Sequence, residues 1–130
     1  MRGPRPLLFD EGLPQQVAQA LNVVGWPANA VGLPGAPVTG SGDENNCQWC
    51  KGNGDAVLVT NDQGKKDREI RNLLAQHRVD AIFVFKNLRK APARDLARAI
   101  LCSEGKIDEV SKGKSSLHHR LRPRGGLDPL

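Results

Sequence analysis

The chain has 130 residues, a length that suits one domain with its own apolar core. Its three cysteines, Cys47, Cys50 and Cys102, are an odd number, which argues against a secreted disulfide framework. The N-terminal segment lacks the apolar stretch of a signal peptide, and the longest apolar run, residues 81–85, is too short to cross a bilayer. We therefore expect a soluble cytoplasmic protein that does not contact membranes.

Positive charge is concentrated at the C-terminal end. The net charge is +5, and residues 111–130 hold five basic residues and one acidic one. This segment has few apolar residues, with glycine and proline near its end, which is typical of a flexible arm. The sequence therefore predicts a domain over residues 1–110 and a basic tail over residues 111–130. The tail is either solvated or a contact for nucleic acid or an acidic partner.

The first half of the chain alternates a buried strand with helical patterns. Leu7 to Phe9 form an apolar strand, and residues 13–24 place apolar side chains at helical spacing. Residues 26–42 are rich in proline and glycine and predict a loop, with room for a short extended piece at 28–32. A short helix of about two turns is expected to begin near residue 42.

The second half continues the alternation. Residues 55–60 and 79–85 read as buried strands, separated by a helix that ends near His77. A further helix is expected from Pro92 to about Ser103, with one more turn after Gly105. Such alternation predicts an α/β fold with a mainly parallel sheet of about four strands.

Acidic residues follow the strands and begin the helices. Asp10 comes directly after the first buried strand and Asp62 after the second. Asp43 and Glu44 begin the short helix, and Asp67 begins the next one. Ligands bind where the carboxyl ends of parallel strands meet, and clustered carboxylates select a hard cation such as Mg²⁺ or Mn²⁺. Each acid taken singly is better explained as a helix cap, but caps do not explain why both buried strands end in aspartate.

Three short motifs in order, "LLFDEGLPQQVAQAL", "GDENN" and "AVLVTND", resemble the PIN-like ribonuclease domains, in particular the VapC-like branch of bacterial toxin-antitoxin pairs. The resemblance covers residues 7 to about 110. It implies a PIN-like three-layer α/β/α sandwich, Mg²⁺- or Mn²⁺-dependent hydrolysis of RNA, and an antitoxin protein as partner, with a homodimer left open.

The resemblance also assigns roles to acidic residues. It implies that Asp10 is the first acidic ligand, that Glu44, with Asp43 as its rival, is the helical acid, and that Asp62 is the acid of the "T.D" motif. The family usually continues with a further acid and an aromatic residue, whereas this chain reads "NDQGKKD". Asp67 is the candidate for that fourth position.

Basic residues next to the acidic edge are candidates for RNA binding. Lys65, Lys66, Arg68 and Arg71 could hold phosphates that flank the scissile bond, or they could form a solvated helix face.

Three other interpretations compete with the nuclease. The Cys47-Gln48-Trp49-Cys50 motif could serve a metal or redox role, although two ordinary semi-buried thiols explain it better. A receiver-type signalling domain would use Asp10, Glu11, Asp62 and Lys86, but its lysine should follow a second strand after the phospho-acceptor. An inactive PIN-like module that only binds a partner is the third interpretation.

Overall fold

The computed structural model describes residues 5–61, 67–84, 88, 90–107 and 118–129. Within this part of the chain, four helices flank one six-stranded sheet. The strands are β1 (Leu7–Phe9), β2 (Ala28–Ala30), β3 (Val57–Asn61), β4 (Ala81–Val84), β5 (His118–Leu121) and β6 (Leu127–Pro129). The helices are α1 (Gln15–Val23), α2 (Asp43–Gly52), α3 (Asp67–His77) and α4 (Ala93–Cys102), and residues 104–107 add a short helical turn.

The sheet has the strand order β2-β1-β3-β4-β5-β6. Strands β1 to β5 are parallel to their neighbours, and β6 pairs antiparallel with β5. The order reverses at β1, which lies between β2 and β3, so the chain leaves β1 in one direction and returns on its other side. Such a switch point opens a crevice at the carboxyl ends of β1 and β3, where α/β proteins bind ligands.

Side chains on the two faces of the sheet form two separate apolar clusters. On one face, Leu7, Phe9 and Val59 pack with the buried residues of α1 and α4. On the other face, Leu8 and Leu58 pack with the buried residues of α2 and α3. Because alternate residues of a strand point to opposite faces, strands covered by helices on both sides must be apolar throughout. The result is a three-layer α/β/α arrangement.

The predicted α/β class and mainly parallel sheet are confirmed, but the predicted count of four strands is wrong. The extended piece expected at 28–32 forms β2, and the C-terminal segment supplies two strands that were not predicted, β5 and β6.

The prediction of a flexible tail is also wrong for residues 118–129. Strand β5 pairs with β4, and the side chains of His118, His119, Leu121 and Leu127 are buried. The polar composition hid these strands, because two of the buried residues are histidines. Residues 111–117 lie outside the described part of the chain.

The backbone of the outer strand β2 is hydrogen-bonded on the side that faces away from β1. The Asn22 side chain accepts from the Ala28 N–H and donates to the Ala28 carbonyl, both at 2.9 Å. The Asn29 side chain accepts from the Ala30 N–H at 2.9 Å, and the Leu33 N–H donates to the Ala30 carbonyl at 2.9 Å. Two asparagines and one turn therefore complete the hydrogen bonding of this edge.

No helix among the described residues combines the length and apolar character that crossing a membrane requires.

Candidate functional site

Asp10 lies at the switch point of the sheet. Its backbone N–H donates to the carbonyl of Val59 at 2.9 Å, which extends the β1–β3 ladder by one residue beyond Phe9. Phe9 points to the α1 side, so alternation directs the Asp10 side chain to the α2 side of the sheet. The carboxylate is therefore fixed by two strands at the carboxyl edge.

Three donors hold the Asp10 carboxylate. Oδ1 accepts from the Glu11 N–H at 2.7 Å and from Asn46 Nδ2 at 3.2 Å. Oδ2 accepts from the Thr60 hydroxyl at 2.8 Å. Each carboxylate oxygen has two lone pairs, so Oδ2 keeps one acceptor position. The side chain is thus oriented from β3 and α2 while one oxygen can still bind a further group.

Asp43 is the first residue of α2, the helix that also carries Asn46. Its side chain is half-buried, and its charge is among the factors that raise the pKa of Asp10. Glu44 is exposed. Its charge, together with those of Asp43 and Asp10, helps to raise the pKa of Cys47 further along α2. Between the two rival helical acids, the structure therefore favours Asp43 as the partner of Asp10.

The electrostatic environment of Asp10 disfavours its negative charge. Burial is the largest cause and raises its pKa, while the hydrogen bonds from Thr60 and the Glu11 N–H lower it. The carboxylates of Asp43 and Glu11 raise the pKa again, and the net direction is upward. Two partly buried carboxylates in one crevice repel each other unless a positive charge lies between them.

A buried acceptor also lacks a partner at this site. Asn46 is 3% exposed, and its Oδ1 has no hydrogen-bond partner among the described residues. That oxygen belongs to the same amide whose Nδ2 contacts Asp10. Asp10, Asp43 and the Asn46 amide are all oxygen-bearing groups, which suits a hard cation. These oxygens match the ligand type of the metal that the family resemblance implies.

The remaining predicted acids are not placed. Asp62 lies outside the described residues, and only the backbone of Asp67, at the start of α3, is described. Within the described part of the chain, no group of three or more histidine, cysteine, aspartate and glutamate side chains could hold a metal ion. The described site is thus a pair of acids with an amide, and Asp62 would have to supply a third carboxylate.

The predicted RNA-binding residues are described only in part. Lys65 and Lys66 lie outside the described residues, and the side chain of Arg68 does too. Arg71 is half-buried and close enough to His118 for its charge to lower the pKa of that histidine. Since β3 and β4 separate β5 from β1, the structure places Arg71 beside the far strands and away from Asp10.

Sequence reasoning missed Thr60 and Asn46, the two side chains that hydrogen-bond to Asp10. A signal for Asn46 existed, because Asp43, Asn46, Cys47 and Cys50 recur at helical spacing and share one face of α2. Thr60 is the single polar residue in the buried part of β3, at 1% exposure. A polar residue in an apolar strand next to a strand-end acid is the pattern to look for.

The two cysteines of the C-x-x-C motif are buried in the core between α2 and the sheet. Burial, followed by nearby negative charge, raises the pKa of Cys47 to about 11 and that of Cys50 to about 12. Thiols with such pKa values are poor nucleophiles and poor metal ligands at neutral pH. The geometry supports their interpretation as ordinary core residues.

Comparisons with protein-family models, with curated proteins and with solved structures find no significant match to this chain.

Proposed function

We propose that this protein is a PIN-like, Mg²⁺- or Mn²⁺-dependent endoribonuclease, the toxin of a toxin-antitoxin pair. The observation that carries the proposal is the half-buried Asp10 carboxylate at the β1–β3 switch point, which Thr60 and Asn46 hold by hydrogen bonds. Asp43, at the start of α2, is a second acid whose charge acts on Asp10. The orphaned Asn46 Oδ1 beside them supports a site for a cation. The order of the three sequence motifs supports RNA as the substrate.

Asp10, Asp43 and, by the family resemblance, Asp62 would hold the ion. The bound cation would polarise a phosphodiester and lower the pKa of a water that attacks phosphorus. Thr60 and Asn46 hold the Asp10 carboxylate in one orientation and leave one acceptor position of Oδ2 unused. Such positioning partners typically change metal affinity or activity by about 10- to 100-fold.

The test is RNA cleavage with matched amide variants. Asp10→Asn and Asp43→Asn should each lower the Mg²⁺- or Mn²⁺-dependent cleavage of single-stranded RNA by at least about 100-fold. Glu44→Gln removes the same charge from the exposed neighbour of Asp43 and should stay near the parental rate. Equal losses in all three variants, or cleavage that survives Asp10→Asn, would defeat the proposal.

Stability without metal gives a second readout for Asp10. An acid whose folded pKa is raised destabilises the fold where it is ionised, and this penalty disappears below its unfolded pKa of about 3.8. Asp10→Asn should therefore raise the melting temperature at pH 7 in a chelator, and the gain should vanish near pH 3. A variant less stable than the parent at pH 7 would show that the carboxylate is a structural anchor.

A receiver-type domain is the second candidate, because doubly wound sheets with this strand order also occur in that class. Strand β5 supplies the second strand that such a domain needs after the acceptor strand. The residue after β5, however, is Arg122, whose Nε donates to Asp128 at 2.9 Å. Glu11, the second acid of the expected pair, accepts from the Gly40 N–H at 2.5 Å. Incubation with acetyl phosphate separates the candidates, because only a receiver would become phosphorylated on Asp62.

An inactive PIN-like module that binds a partner protein is the third candidate. It predicts a stable complex with an antitoxin and no cleavage at any Mg²⁺ or Mn²⁺ concentration. Sedimentation of the isolated chain would at the same time show whether it is a monomer or the homodimer that the sequence left open.

A further inference from the structure

A cleft of about 490 Å³ opens beyond the carboxyl ends of β4 and β5. Its walls are formed by two described residues that follow β4, by helix α4 and by the turn between β5 and β6. The lining residues are Leu88, Ala91, Asp95, Arg98, Pro123 and Arg124. This cleft is separate from the Asp10 crevice, which lies two strands away on the same edge of the sheet.

The cleft combines positive charge, one carboxylate and an apolar floor. Arg98 and Arg124 are exposed, and neither forms an ion pair within the described part of the chain. Asp95 is half-buried in the first turn of α4. Leu88, at 5% exposure, belongs to the apolar core under the cleft. Two free guanidinium groups favour an anion, and the apolar floor favours a flat, weakly polar group beside it.

The wall that carries Arg124 is rigid. Gly125 has a φ of 102°, and a Cβ there would lie 2.5 Å from the Cβ of Cys102. The Gly126 N–H donates to the Ser103 hydroxyl at 2.8 Å. The turn between β5 and β6 is therefore packed directly against the end of α4. A preformed wall of this kind lowers the ordering cost of binding.

We propose that the cleft is a nucleotide-binding subsite for one residue of single-stranded RNA. Arg98 and Arg124 bind its phosphate, the base packs on Leu88 and Ala91, and Asp95 accepts hydrogen bonds from base N–H groups. Guanine offers two adjacent N–H donors on its Watson–Crick edge, so a carboxylate selects it over adenine and uracil. Unstacked bases read in this way are the usual basis of sequence preference in RNA binding.

The proposal that this subsite selects the position of cleavage rests on the proposed nuclease function. Strands in a sheet lie about 4.8 Å apart, so the cleft is roughly 10 to 15 Å along the edge from Asp10. Asp10 points to the α2 side of the sheet, whereas α4 lines the cleft on the opposite side. An RNA strand that engages both sites would therefore cross the carboxyl edge of the sheet. Nucleotide binding itself requires neither the metal nor cleavage.

The experiment titrates the full chain with GMP, AMP and UMP in a buffer that contains a chelator. Calorimetry measures the affinity, and NMR chemical-shift changes locate the binding site. GMP should bind at least about tenfold more tightly than AMP or UMP, and the backbone signals of Ala91 and Arg98 should shift. Asp95→Asn should remove most of this preference, and Arg98→Ala or Arg124→Ala should each weaken binding about fivefold and reduce its salt dependence. Inorganic phosphate serves as a further arm, since it tests whether the arginines bind any small anion.

Arg94→Ala is the matched control, because Arg94 is an exposed arginine on the same helix that does not line the cleft. It should leave GMP affinity unchanged. Failure of every nucleotide to shift Ala91 or Arg98 at millimolar concentration would overturn the subsite, as would phosphate binding as tightly as GMP. If GMP binds as described but no RNA is cleaved, the subsite stands and the nuclease proposal falls. If RNA is cleaved but no nucleotide binds, the nuclease proposal stands and the subsite falls.

Discussion

Replacing Thr60 by valine tests the hydrogen bond that fixes the candidate site. The Thr60 hydroxyl donates to Asp10 Oδ2 at 2.8 Å, and the side chain is 1% exposed, so valine removes this donor from a buried position. A hydrogen bond to a charged group contributes about 1.5–3 kcal/mol to the free energy of unfolding. For a domain of this size, we expect the melting temperature at pH 7 to fall by roughly 5 to 10 °C.

The dependence on pH identifies the cause of this loss. The Thr60 hydroxyl is one of the groups that lower the pKa of Asp10, so its removal raises that pKa further. The cost is largest where Asp10 is ionised and falls to about 1 kcal/mol or less when the carboxyl is protonated near pH 3. Thermal unfolding followed by the fluorescence of the buried Trp26 would measure both conditions.

Thr60→Ser is the control, because serine keeps the hydroxyl and loses only a methyl group. Its cost should be about 1 kcal/mol and independent of pH. An equal loss of stability at pH 3 and pH 7 for Thr60→Val would refute the reasoning, since packing alone would then account for it.

Three further predictions concern the rest of the fold. In the native protein only the exposed thiol of Cys102 should react with a thiol reagent at pH 8. Unfolding should make Cys47 and Cys50 reactive as well. Three reactive thiols in the native protein would contradict the burial of these two cysteines. Burial, followed by the charge of Arg71, lowers the pKa of His118, so the unfolded chain binds the proton more readily and stability should fall as pH drops below about 6.5. His118→Leu should make the melting temperature less dependent on pH in that range, and an unchanged slope would assign the effect elsewhere. Gly125→Ala should lower the free energy of unfolding by at least about 2 kcal/mol, because the positive φ and the contact with Cys102 both oppose a Cβ at this position. Unfolding in denaturant measures this value. A loss below about 1 kcal/mol would show that the turn can move.

The sequence was sufficient for the α/β class and for Asp10 because both follow from local rules. A short apolar run between turn residues reads as a buried strand, and the residue after it lies at the carboxyl edge. Neither step requires knowledge of which strands are neighbours. Asp10 was therefore placed correctly at the edge before any contact was known.

The partners of Asp10 depend on tertiary geometry and could not be found in the same way. Thr60 reaches Asp10 only because β3 lies next to β1, and Asn46 does so only because α2 packs with one particular face inward. The preference for Asp43 over Glu44 has the same origin. Helix α2 is largely polar, so its sequence gave only a weak indication of the buried face.

Strands β5 and β6 were missed for a different reason. Their sequence, "HHRLRPRGGLDP", resembles a solvated arm by composition. Strand β5, with two buried histidines and Leu121, nevertheless pairs with the edge of β4, and Leu127 of β6 is buried next to β5. Amino-acid composition reflects only how many charged and apolar residues a segment has. Whether the segment joins a sheet depends instead on a neighbouring strand with free backbone groups.

The asparagine side chains along β2 determine how other proteins can approach this side of the molecule. An extended peptide can join a sheet only where backbone N–H and carbonyl groups are free, and Asn22 and Asn29 already occupy those of Ala28 and Ala30. A partner that docks there must therefore recognise side chains instead of extending the sheet at β2. The same hydrogen bonds leave this edge without a free backbone template for the addition of another strand.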